Sequence, residues 1–288
     1  MAGLPTLNSS PRQIILTADD FGESLPVNEA VEKTHREGAL TAASLMVNAD
    51  STEDAVRRAH ALPRLGVGLH LVLCHGRASA PRDRIPDLVD RNGNLTNRMV
   101  RSSFGYPLSK RLRHQLAHEI EAQFRRFSAT GLRLDHVNVH KHFHCHPTLL
   151  ELILEIGPDH GMRSLRLPRE PWRLGLQAGQ GLVKLQPILL SPILRTMVRK
   201  IERRGIHHNQ YLFGLSATGR MTAELLLTAI PQFPDGLGEI YFHPASASRL
   251  KEHRESPAIR EENALLDRRI SKTLSEQGFH PTTFHASL

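Results

Sequence analysis

The chain has 288 residues, of which 40% are hydrophobic and 23% charged, a composition typical of a folded domain and not of a disordered chain. No apolar run is long enough to span a bilayer, two cysteines are too few for a disulfide framework, and no secretory signal is visible, so we expect a cytoplasmic protein. The net charge of +8 favours anionic partners, but with three Tyr and one Trp the chain lacks the basic and aromatic alternation that stacks nucleobases, so we expect no nucleic-acid partner.

Strand-like and helix-like segments alternate along the chain, which predicts βα units around a parallel sheet. Predicted strands cover residues 14–18, 43–47, 66–71, 136–140, 164–167 and 239–242, and predicted helices cover residues 26–37, 54–62, 109–129, 148–156, 223–230 and 259–277. A Gly-, Pro- and Arg-rich loop spans residues 74–108, and loops of this length are often functional. We predict one domain over residues 1–288, with a flexible tail at 1–11 and a basic amphipathic insert at 173–205.

Residue types that bind metals lie at or near the ends of three predicted strands. Asp19 and Asp20 follow the first strand, His70 lies near the end of the third, and His140 ends the fourth. In α/β folds, active sites lie at the edge formed by the carboxyl ends of the strands. Because carboxylates and imidazoles are the ligands of mononuclear metal hydrolases, the sequence predicts a metal-dependent enzyme.

The two adjacent aspartates need not share one role, because neighbours in a strand point to opposite sides. One can bind a metal while the other acts as a general base, since a carboxylate near a metal and a cation stays ionised. A turn or a helix N-cap is the structural alternative for Asp19 and Asp20, and the nearby histidines favour the functional interpretation. Arg166, in the strand 164–167, is a candidate partner that holds Asp19 ionised.

Histidine occupies every second position from His140 to His146. In an extended chain His140, His142 and His144 share one face, and three neutral imidazoles can bind one divalent metal. We expect one or two of them to reach the metal while the others orient water, substrate or the ligands. A surface polyhistidine patch is the alternative, but the run begins inside an apolar strand.

Several single residues keep two interpretations on sequence alone. His243 follows the strand 239–242 and precedes a proline, so it is a general acid for a leaving amine or a turn residue. Trp172 stacks on a sugar ring or packs in the core. Cys74 and Cys145 lack Cys-x-x-Cys spacing, which favours small buried residues over zinc thiolates.

The motifs at residues 18–22 (Ala-Asp-Asp-Phe-Gly) and 68–73 (Gly-Leu-His-Leu-Val-Leu), with the His140-x-His142-x-His144 segment, resemble in matching order the YdjC/ChbG carbohydrate deacetylases. Residues 140–147 and 166–171 are similar to the hopanoid-biosynthesis branch of that family, HpnK. The resemblance implies an irregular TIM-like (β/α) barrel, an α/β fold related to NodB-type polysaccharide deacetylases. It also implies removal of an N-acetyl group from an amino sugar with one divalent metal ion, for which Mg²⁺ and Zn²⁺ are the expected identities.

The same resemblance assigns roles to individual residues. Asp20, His70 and His140 would bind the metal, Asp19 would be the general base, and His243 would be the candidate general acid. Chitooligosaccharide deacetylases carry Asp where this chain has Asn138, and an amide can orient a histidine but brings no charge. Asn48, at the end of the second predicted strand, is grouped with Asn138 as a residue that supports the ligands or contacts substrate.

Residues 186–205 carry apolar side chains at i, i+4 spacing and five basic residues on the remaining face. Such a helix lies on an anionic membrane or packs on the barrel with its charged face in solvent. A glycosylated hopanoid lipid as substrate would favour peripheral contact with the inner membrane. The oligomeric state is open, and a homodimer is one alternative.

Two other functions remain alternatives to the deacetylase. A metal-dependent phosphoesterase is favoured by the basic charge, but the sequence lacks an evident second carboxylate-rich metal cluster. A non-enzymatic membrane-associated partner protein of the hopanoid pathway is the other, and the presence of Asp19, Asp20, His70 and His140 argues against it.

Overall fold

The computed structural model describes residues 12–96, 109–178, 186–247 and 256–288. The described residues form a parallel sheet of seven strands. They are β1 (Gln13–Phe21), β2 (Ala42–Leu45), β3 (Gly66–Leu71), β4 (Val137–Val139), β5 (Tyr211–Phe213), β6 (Leu237–Phe242) and β7 (His280–Pro281). The strand order is β4-β3-β2-β1-β6-β5, and β7 pairs with the first residues of β1.

Helices follow most of the strands and cover the sheet. They are α1 (Leu25–Glu37), α2 (Thr52–His60), α3 (Lys110–Ala129), α4 (Pro147–Ile156), α5 (Trp172–Ala178), α6 (Gln186–Arg203), α7 (Ala223–Ala229), α8 (Pro257–Leu266) and α9 (Arg268–Glu276). Every residue of β2, β3, β4, β5 and β6 is buried, as expected of parallel strands covered on both faces.

Residues 163–169 join β4 to β5. Val137 of β4 pairs with Leu165, Ser164 pairs with His207, and the Leu212 N–H donates to the carbonyl of Arg169. The parallel sheet therefore curls into an irregular barrel that is closed here by isolated bridges. This confirms the predicted α/β class and barrel-like architecture.

Two element predictions are wrong, the predicted strand 164–167 forms only isolated bridges, and one strand was not predicted. The predicted helix 259–277 is two helices, because Asp267 adopts an extended backbone (φ −70°, ψ 112°) and its carboxylate accepts the Arg269 N–H at the start of α9. The predicted strand 136–140 ends at Val139, and a 3₁₀ turn spans His140–Cys145. Strand β5 was not predicted, because three residues are too short for a periodic signal.

The predicted insert contains α5 and α6, which pack against the rest of the domain. Leu194, Met197 and Ile201 of α6 are buried, Lys200 pairs with Glu151 of α4, and Arg204 donates to the Leu154 carbonyl at 3.2 Å. The packed arrangement is thus the one that the described residues of α6 adopt. No described helix is long and apolar enough to cross a membrane. The predicted tail 1–11, part of the insert (179–185) and part of the loop (97–108) lie outside the described residues.

The described part of the long loop is held by a buried acid. The Glu119 carboxylate of α3 accepts the N–H groups of Ser79 and Ala80, each at 2.9 Å, and Gln123 donates to Glu119 at 2.7 Å. Burial raises the pKa of Glu119 in spite of these donors. Glu119 therefore anchors the loop to the helix that covers β3.

Two glycines of β3 make room for polar side chains of the β4 segment. A Cβ atom at Gly68 would lie 2.5 Å from the His136 ring, and one at Gly66 would lie 2.9 Å from the Asp135 carboxylate. Real Cβ atoms do not approach this closely, so the Gly-Val-Gly sequence is required by tertiary packing and not by a turn. Asp135 and His136 thereby gain a buried site inside the barrel.

We predict that Gly68→Ala destabilises the protein by about 1–3 kcal/mol, because the added methyl overlaps the His136 imidazole. Urea unfolding of the single variant measures this cost. In a His136→Ala background the methyl has room, so the same substitution should cost much less. Equal costs in both backgrounds would contradict the packing argument.

Candidate metal centre and active site

Asp20, His70 and His140 come together at the carboxyl edge of the sheet. Asp20 Oδ1 lies 3.1 Å from His70 Nε2 and 3.3 Å from His140 Nδ1, and the two imidazole nitrogens are 3.2 Å apart. Among the described residues this is the group of three acidic, histidine or cysteine side chains that could hold a metal ion. One carboxylate and two imidazoles at this spacing fit a single divalent ion with bonds of about 2.0–2.2 Å.

The bonding around the three ligands supports this fit. Asp20 Oδ1 is buried and has no hydrogen-bond partner among the described residues. Burial alone would lower the pKa of His70, but the Asp20 and Asp19 carboxylates outweigh it and raise that pKa. The site therefore attracts positive charge, which a divalent ion supplies when it displaces a proton.

Asn138 determines which nitrogen of His70 faces the candidate metal position. Its amide nitrogen lies 2.9 Å from Asp19 Oδ1, and because an ionised carboxylate only accepts hydrogen bonds, this atom is the donor. The Asn138 carbonyl oxygen then faces His70 Nδ1 at 2.8 Å, so Nδ1 carries the hydrogen. The lone pair of Nε2 is left for a metal, as expected of an oriented ligand.

Asp19 and Asp20 face the same end of the barrel in spite of being neighbours. The pairing of β1 with β2 is irregular between Ala18 and Phe21, and Asp20 has a left-handed backbone with φ of 61°. This local irregularity cancels the strict alternation of a strand. The expectation that the two carboxylates point to opposite sides is therefore wrong, although their hydrogen-bond partners differ.

Asp19 is held by a buried arginine. Arg166 is fully buried and donates to Asp19 Oδ2 at 2.6 Å and to Asp19 Oδ1 at 2.9 Å. The same guanidinium donates to Glu239 Oε1 at 3.0 Å and 2.7 Å, and Thr17 donates to that oxygen at 2.7 Å. The Arg166 side chain thus bridges carboxylates of β1 and β6, and its guanidinium carbon lies 5.1 Å from the centre of the Tyr241 ring.

The two oxygens of Asp19 differ in how fully they are bonded. Oδ1 accepts from Arg166, from Asn138 at 2.9 Å and from the Ser44 hydroxyl at 3.3 Å, whereas Oδ2 accepts only from Arg166 among the described residues. Burial alone would raise the pKa of Asp19, but Arg166 outweighs it and holds this pKa well below its usual range. Asp19 is therefore an ionised carboxylate with one free acceptor position on Oδ2.

The histidine run does not form one face. Lys141 and His142 both adopt left-handed backbone conformations with φ of 55°, so the extended chain assumed for His140, His142 and His144 is wrong. His140 reaches the metal triad. The ring of His142 contacts Tyr241 edge to face at 5.5 Å, and His144 Nε2 donates to the Arg166 carbonyl at 3.0 Å. Burial lowers the pKa of both His142 and His144, so both rings stay neutral.

The candidate general acid lies on the open side of the triad. His243 Nε2 is 4.0 Å from Asp20 Oδ2, and its side chain is 36% exposed. The backbone N–H of His243 donates to the buried Glu261 carboxylate, and the His243 ring contacts Tyr241 edge to face at 5.5 Å. Burial and the Asp20 charge raise the pKa of Glu23, which follows Asp20 by three residues and lies at the mouth of the site.

The other residues singled out in the sequence do not belong to the candidate metal group. They are Asn48, Trp172, Cys74 and Cys145. The Asn48 side-chain amide donates to the Arg77 carbonyl, so this residue ties the end of β2 to the long loop. Trp172 is 52% exposed at the start of α5 and lines a cavity of about 1200 Å³ between α6 and β5. Cys74 and Cys145 are buried and free and do not belong to the metal group, as predicted for small buried residues.

Sequence reasoning missed Glu239, Ser44 and Tyr241. The signal available for Glu239 was a carboxylate inside the apolar run Leu237–Phe242, because a buried acid needs a partner. Ser44 and Tyr241 gave no signal, since either residue is ordinary in a buried strand. Their proximity to Asp19 and Arg166 follows from strand pairing alone.

A parallel α/β barrel with a carboxylate and two imidazoles at its carboxyl edge defines the chain as an α/β-barrel protein with a candidate metal site. Residues 13–276 match the family described as YdjC-like protein, and the chain therefore belongs to the YdjC-like family. A protein of Enterococcus faecalis V583, whose name proposes cleavage of cellobiose phosphate, has the same fold, with a TM-score of 0.74 and 21% identity over 96% of this chain and 98% of that one.

Two relatives carry the name carbohydrate deacetylase. The protein of Brevibacillus brevis is 38% identical over 166 residues, which cover 57% of this chain and 62% of that protein. The protein of Geobacillus stearothermophilus is 36% identical over 163 residues, which cover 57% of this chain and 61% of that protein. The chain thus spans about three fifths of the length of these relatives.

We predict that acidification weakens the fold through His144. Burial lowers the pKa of His144 to about 4, whereas an unfolded histidine has a pKa of about 6.5. Between these values the unfolded chain binds a proton that the native chain does not, so stability falls with falling pH, by at most about 1.4 kcal/mol per pH unit. Urea unfolding at several pH values should show a weaker dependence for His144→Gln, while the exposed control His280→Gln keeps the wild-type dependence. Parallel curves for all three proteins would contradict this prediction.

We also predict that both thiols are unreactive in the native protein. Burial raises the pKa of Cys74 to about 11 and that of Cys145 to about 12, so the nucleophilic thiolate is scarce at neutral pH. Iodoacetamide followed by mass spectrometry should show no adduct under native conditions and two adducts in guanidinium chloride. Labelling of either cysteine without denaturant would contradict the burial of that thiol.

Proposed function

We propose that this chain is a metal-dependent carbohydrate deacetylase that removes an N-acetyl group from an amino sugar. The observation that carries the proposal is the placement of three metal-ligand atoms within 3.3 Å of one another beside the ionised carboxylate of Asp19. The names of the two relatives support the substrate class. The donor set of one carboxylate and two imidazoles fits Zn²⁺ and also Mg²⁺ with added water ligands, so both remain proposed ions.

The chemistry divides between the ion and the side chains. A divalent ion held by Asp20, His70 and His140 would supply a Lewis acid that polarises the acetyl carbonyl. Asp19 accepts the proton of the attacking water on Oδ2, which has a free acceptor position. Arg166 keeps Asp19 ionised until that step and fixes the plane of its carboxylate.

Departure of the amine requires a proton at the open side of the site. His243 lies there, 4.0 Å from Asp20 and accessible to solvent, and it protonates the leaving nitrogen. Tyr241 packs edge to face on the rings of His142 and His243, so it restricts where His243 moves. The Glu239 carboxylate does not touch the open site and acts through Arg166.

The finer substrate proposal is an acetylated amino sugar linked to a hopanoid lipid. The features that support it are the exposed basic residues Arg195, Arg199 and Arg203 of α6 and the exposed apolar side chains of Trp172 and Ile193. Basic side chains beside exposed apolar ones suit a peripheral contact with an anionic membrane. Trp172, on the cavity between α6 and β5, remains the candidate to stack on a sugar ring.

We predict that Asp19→Asn lowers kcat by about 10³-fold while the protein keeps its bound metal, because the variant loses the proton acceptor and leaves the three ligands in place. His140→Ala should lose the metal itself. Metal content by inductively coupled plasma mass spectrometry and turnover by acetate release measure both effects, with the exposed His280→Ala as the control. Turnover by Asp19→Asn would remove Asp19 as the base, and a full metal equivalent in His140→Ala would remove His140 as a ligand.

The substrate is tested by mass spectrometry of diacetylchitobiose and of N-acetylglucosaminyl bacteriohopanetriol, each incubated with the protein and a panel of divalent metals. We expect loss of one acetyl group, because the site presents a base and a candidate acid around the metal position. Loss from the lipid alone supports the hopanoid proposal, and loss from chitobiose alone removes it. No loss from either, together with phosphate release from phosphate esters, would replace the deacetylase by the phosphoesterase.

A further inference from the structure

The position of the His243 imidazole depends on the backbone that carries it. Its Nε2 atom is 4.0 Å from Asp20 Oδ2, beyond the length of a hydrogen bond, and the ring meets Tyr241 edge to face at 5.5 Å. Neither contact is a directional bond. Pro244 follows His243 and disfavours a helical backbone there, so the direction of the ring is set by the main chain at this point.

The backbone N–H of His243 lies beyond the end of the sheet. The pairing of β6 with β1 ends at Phe242, and its pairing with β5 ends at Ile240. An N–H that leaves the ladder needs another acceptor, and Glu261 Oε2 supplies it. Because a carboxyl group keeps acceptor capacity in both of its protonation states, this bond requires no particular charge on Glu261.

Glu261 lies in helix α8, which is fixed to the same end of the barrel. The Ser256 hydroxyl accepts the Ile259 N–H at 3.3 Å at the start of the helix, and the Ala258 carbonyl accepts the Ala245 N–H at 3.2 Å. Glu261 itself is 2% exposed. Packing around a short helix with both contacts leaves the carboxylate little freedom, so it is a fixed point for the backbone that it binds.

The same carboxylate faces the loop that follows β5. Burial raises the pKa of Glu261, whereas the backbone N–H groups of His243 and Gly219 lower it. Next to Gly219 in the chain, the Thr218 hydroxyl lies 2.9 Å from the Tyr241 hydroxyl. Glu261 is thus near the loop that holds the Tyr241 ring, and it binds the backbone of His243. It acts on both sides of the contact between these two rings.

We propose that Glu261 is a positioning residue for His243: it holds the His243 backbone and the loop at Gly219, and so directs the imidazole to the open side of the metal triad. This inference rests on the proposed role of His243 as the general acid. Glu261 acts by accepting hydrogen bonds, so the place of its oxygens carries the effect and its charge does not. It takes no part in bond making.

The next residue of the helix offers a matched control. Glu262 is also 2% exposed, and it pairs with Lys33 of α1 at 3.5 Å. Its partner is the side chain of another helix and not the backbone at the mouth of the site. Glu261 and Glu262 therefore share a helix and a degree of burial, and they differ in the contact with His243.

Three substitutions separate the acceptor from the charge. Glu261→Gln keeps a carbonyl oxygen for the His243 N–H and should retain kcat within about threefold of the wild type. Glu261→Met fills similar space without an acceptor, and Glu261→Asp keeps the charge but withdraws the acceptor by one methylene. Both should lower kcat about tenfold with KM unchanged, because His243 acts after the substrate has bound. Glu262→Met should leave kcat unchanged. Loss of kcat in Glu261→Gln with retention in Glu261→Asp would overturn the inference.

The effect of Glu261 must also pass through His243. We expect His243→Ala to lower kcat about 10²-fold, and the addition of Glu261→Met to this variant to cause no further loss. If the two losses multiply, Glu261 acts elsewhere in the protein and its role as a positioning residue for His243 is overturned.

A second readout does not depend on activity. In protein labelled with ¹⁵N at histidine, the backbone amide signal of His243 is the one absent from His243→Ala. This amide should exchange slowly with solvent in the wild type and in Glu261→Gln, and at least about tenfold faster in Glu261→Met. Glu262→Met should keep the wild-type rate. A wild-type His243 amide that exchanges as fast as an open loop overturns the inference, even where a variant does not fold.

The outcomes for His243 and Glu261 separate this inference from the proposed function. If His243→Ala loses activity but Glu261→Met and Glu261→Asp do not, the deacetylase and its acid stand and the positioning role is overturned. If His243→Ala keeps the wild-type kcat, His243 is not the acid, and the inference fails while the deacetylase stands. If the wild type removes no acetyl group, the proposed function fails and the positioning role fails with it.

Discussion

The buried ion pair between Arg166 and two carboxylates is the interaction on which the rest of the site depends. Arg166 lies in the segment that joins β4 to β5, Asp19 lies on β1 and Glu239 on β6. Loss of one partner from such a pair costs about 3–5 kcal/mol, because a charge is left uncompensated inside the protein. The same contacts join β1, β6 and the segment before β5 and hold Asp19 ionised, so one ion pair contributes to the stability of the fold and to the charge of the candidate base.

Asn138 connects the two halves of the site. It donates to Asp19 and accepts from His70, so the candidate base and a candidate metal ligand share one amide. An ionised aspartate at this position could orient His70 but could not donate to Asp19, and its charge would lie against another carboxylate. The Asn138 amide can therefore make both contacts, the one to His70 and the one to Asp19. An aspartate, which chitooligosaccharide deacetylases carry at this position, could make only the contact to His70.

The site has a solvent-accessible part and a buried part. His140, His243 and Glu23 lie at the accessible mouth, whereas the side chains on the buried side of Asp19 are closed to solvent; these are Arg166, Glu239, Ser44 and His136. Arg166 and Asn138 hold Asp19 through hydrogen bonds between buried side chains, so the orientation of this carboxylate is set by the fold. Preorganisation of this kind is what an active site on rigid strands provides.

The candidate metal triad was predictable because strand topology places its three residues at one edge of the sheet. Asp20, His70 and His140 follow from the rule that the carboxyl ends of parallel strands meet at one edge, and a strand signal with a ligand at its end is visible in the sequence. The class of fold followed in the same way from the alternation of strands and helices. Local periodicity also indicated most helices, apart from the break at Asp267, where a single extended residue leaves no trace in the pattern.

By itself, then, the sequence determined the parallel α/β class, most of its buried strands and the side chains available at their ends, and its resemblance to a known family implied the barrel. Tertiary structure decided which of them touch: Arg166 is 147 positions from Asp19, and Glu239 is 73 positions from Arg166. It also decided that His142 and His144 turn away from His140, because two left-handed residues break the extended run. Periodicity reports only neighbours along one element, whereas ion pairs, left-handed turns and the space left by Gly66 and Gly68 are settled by packing between elements.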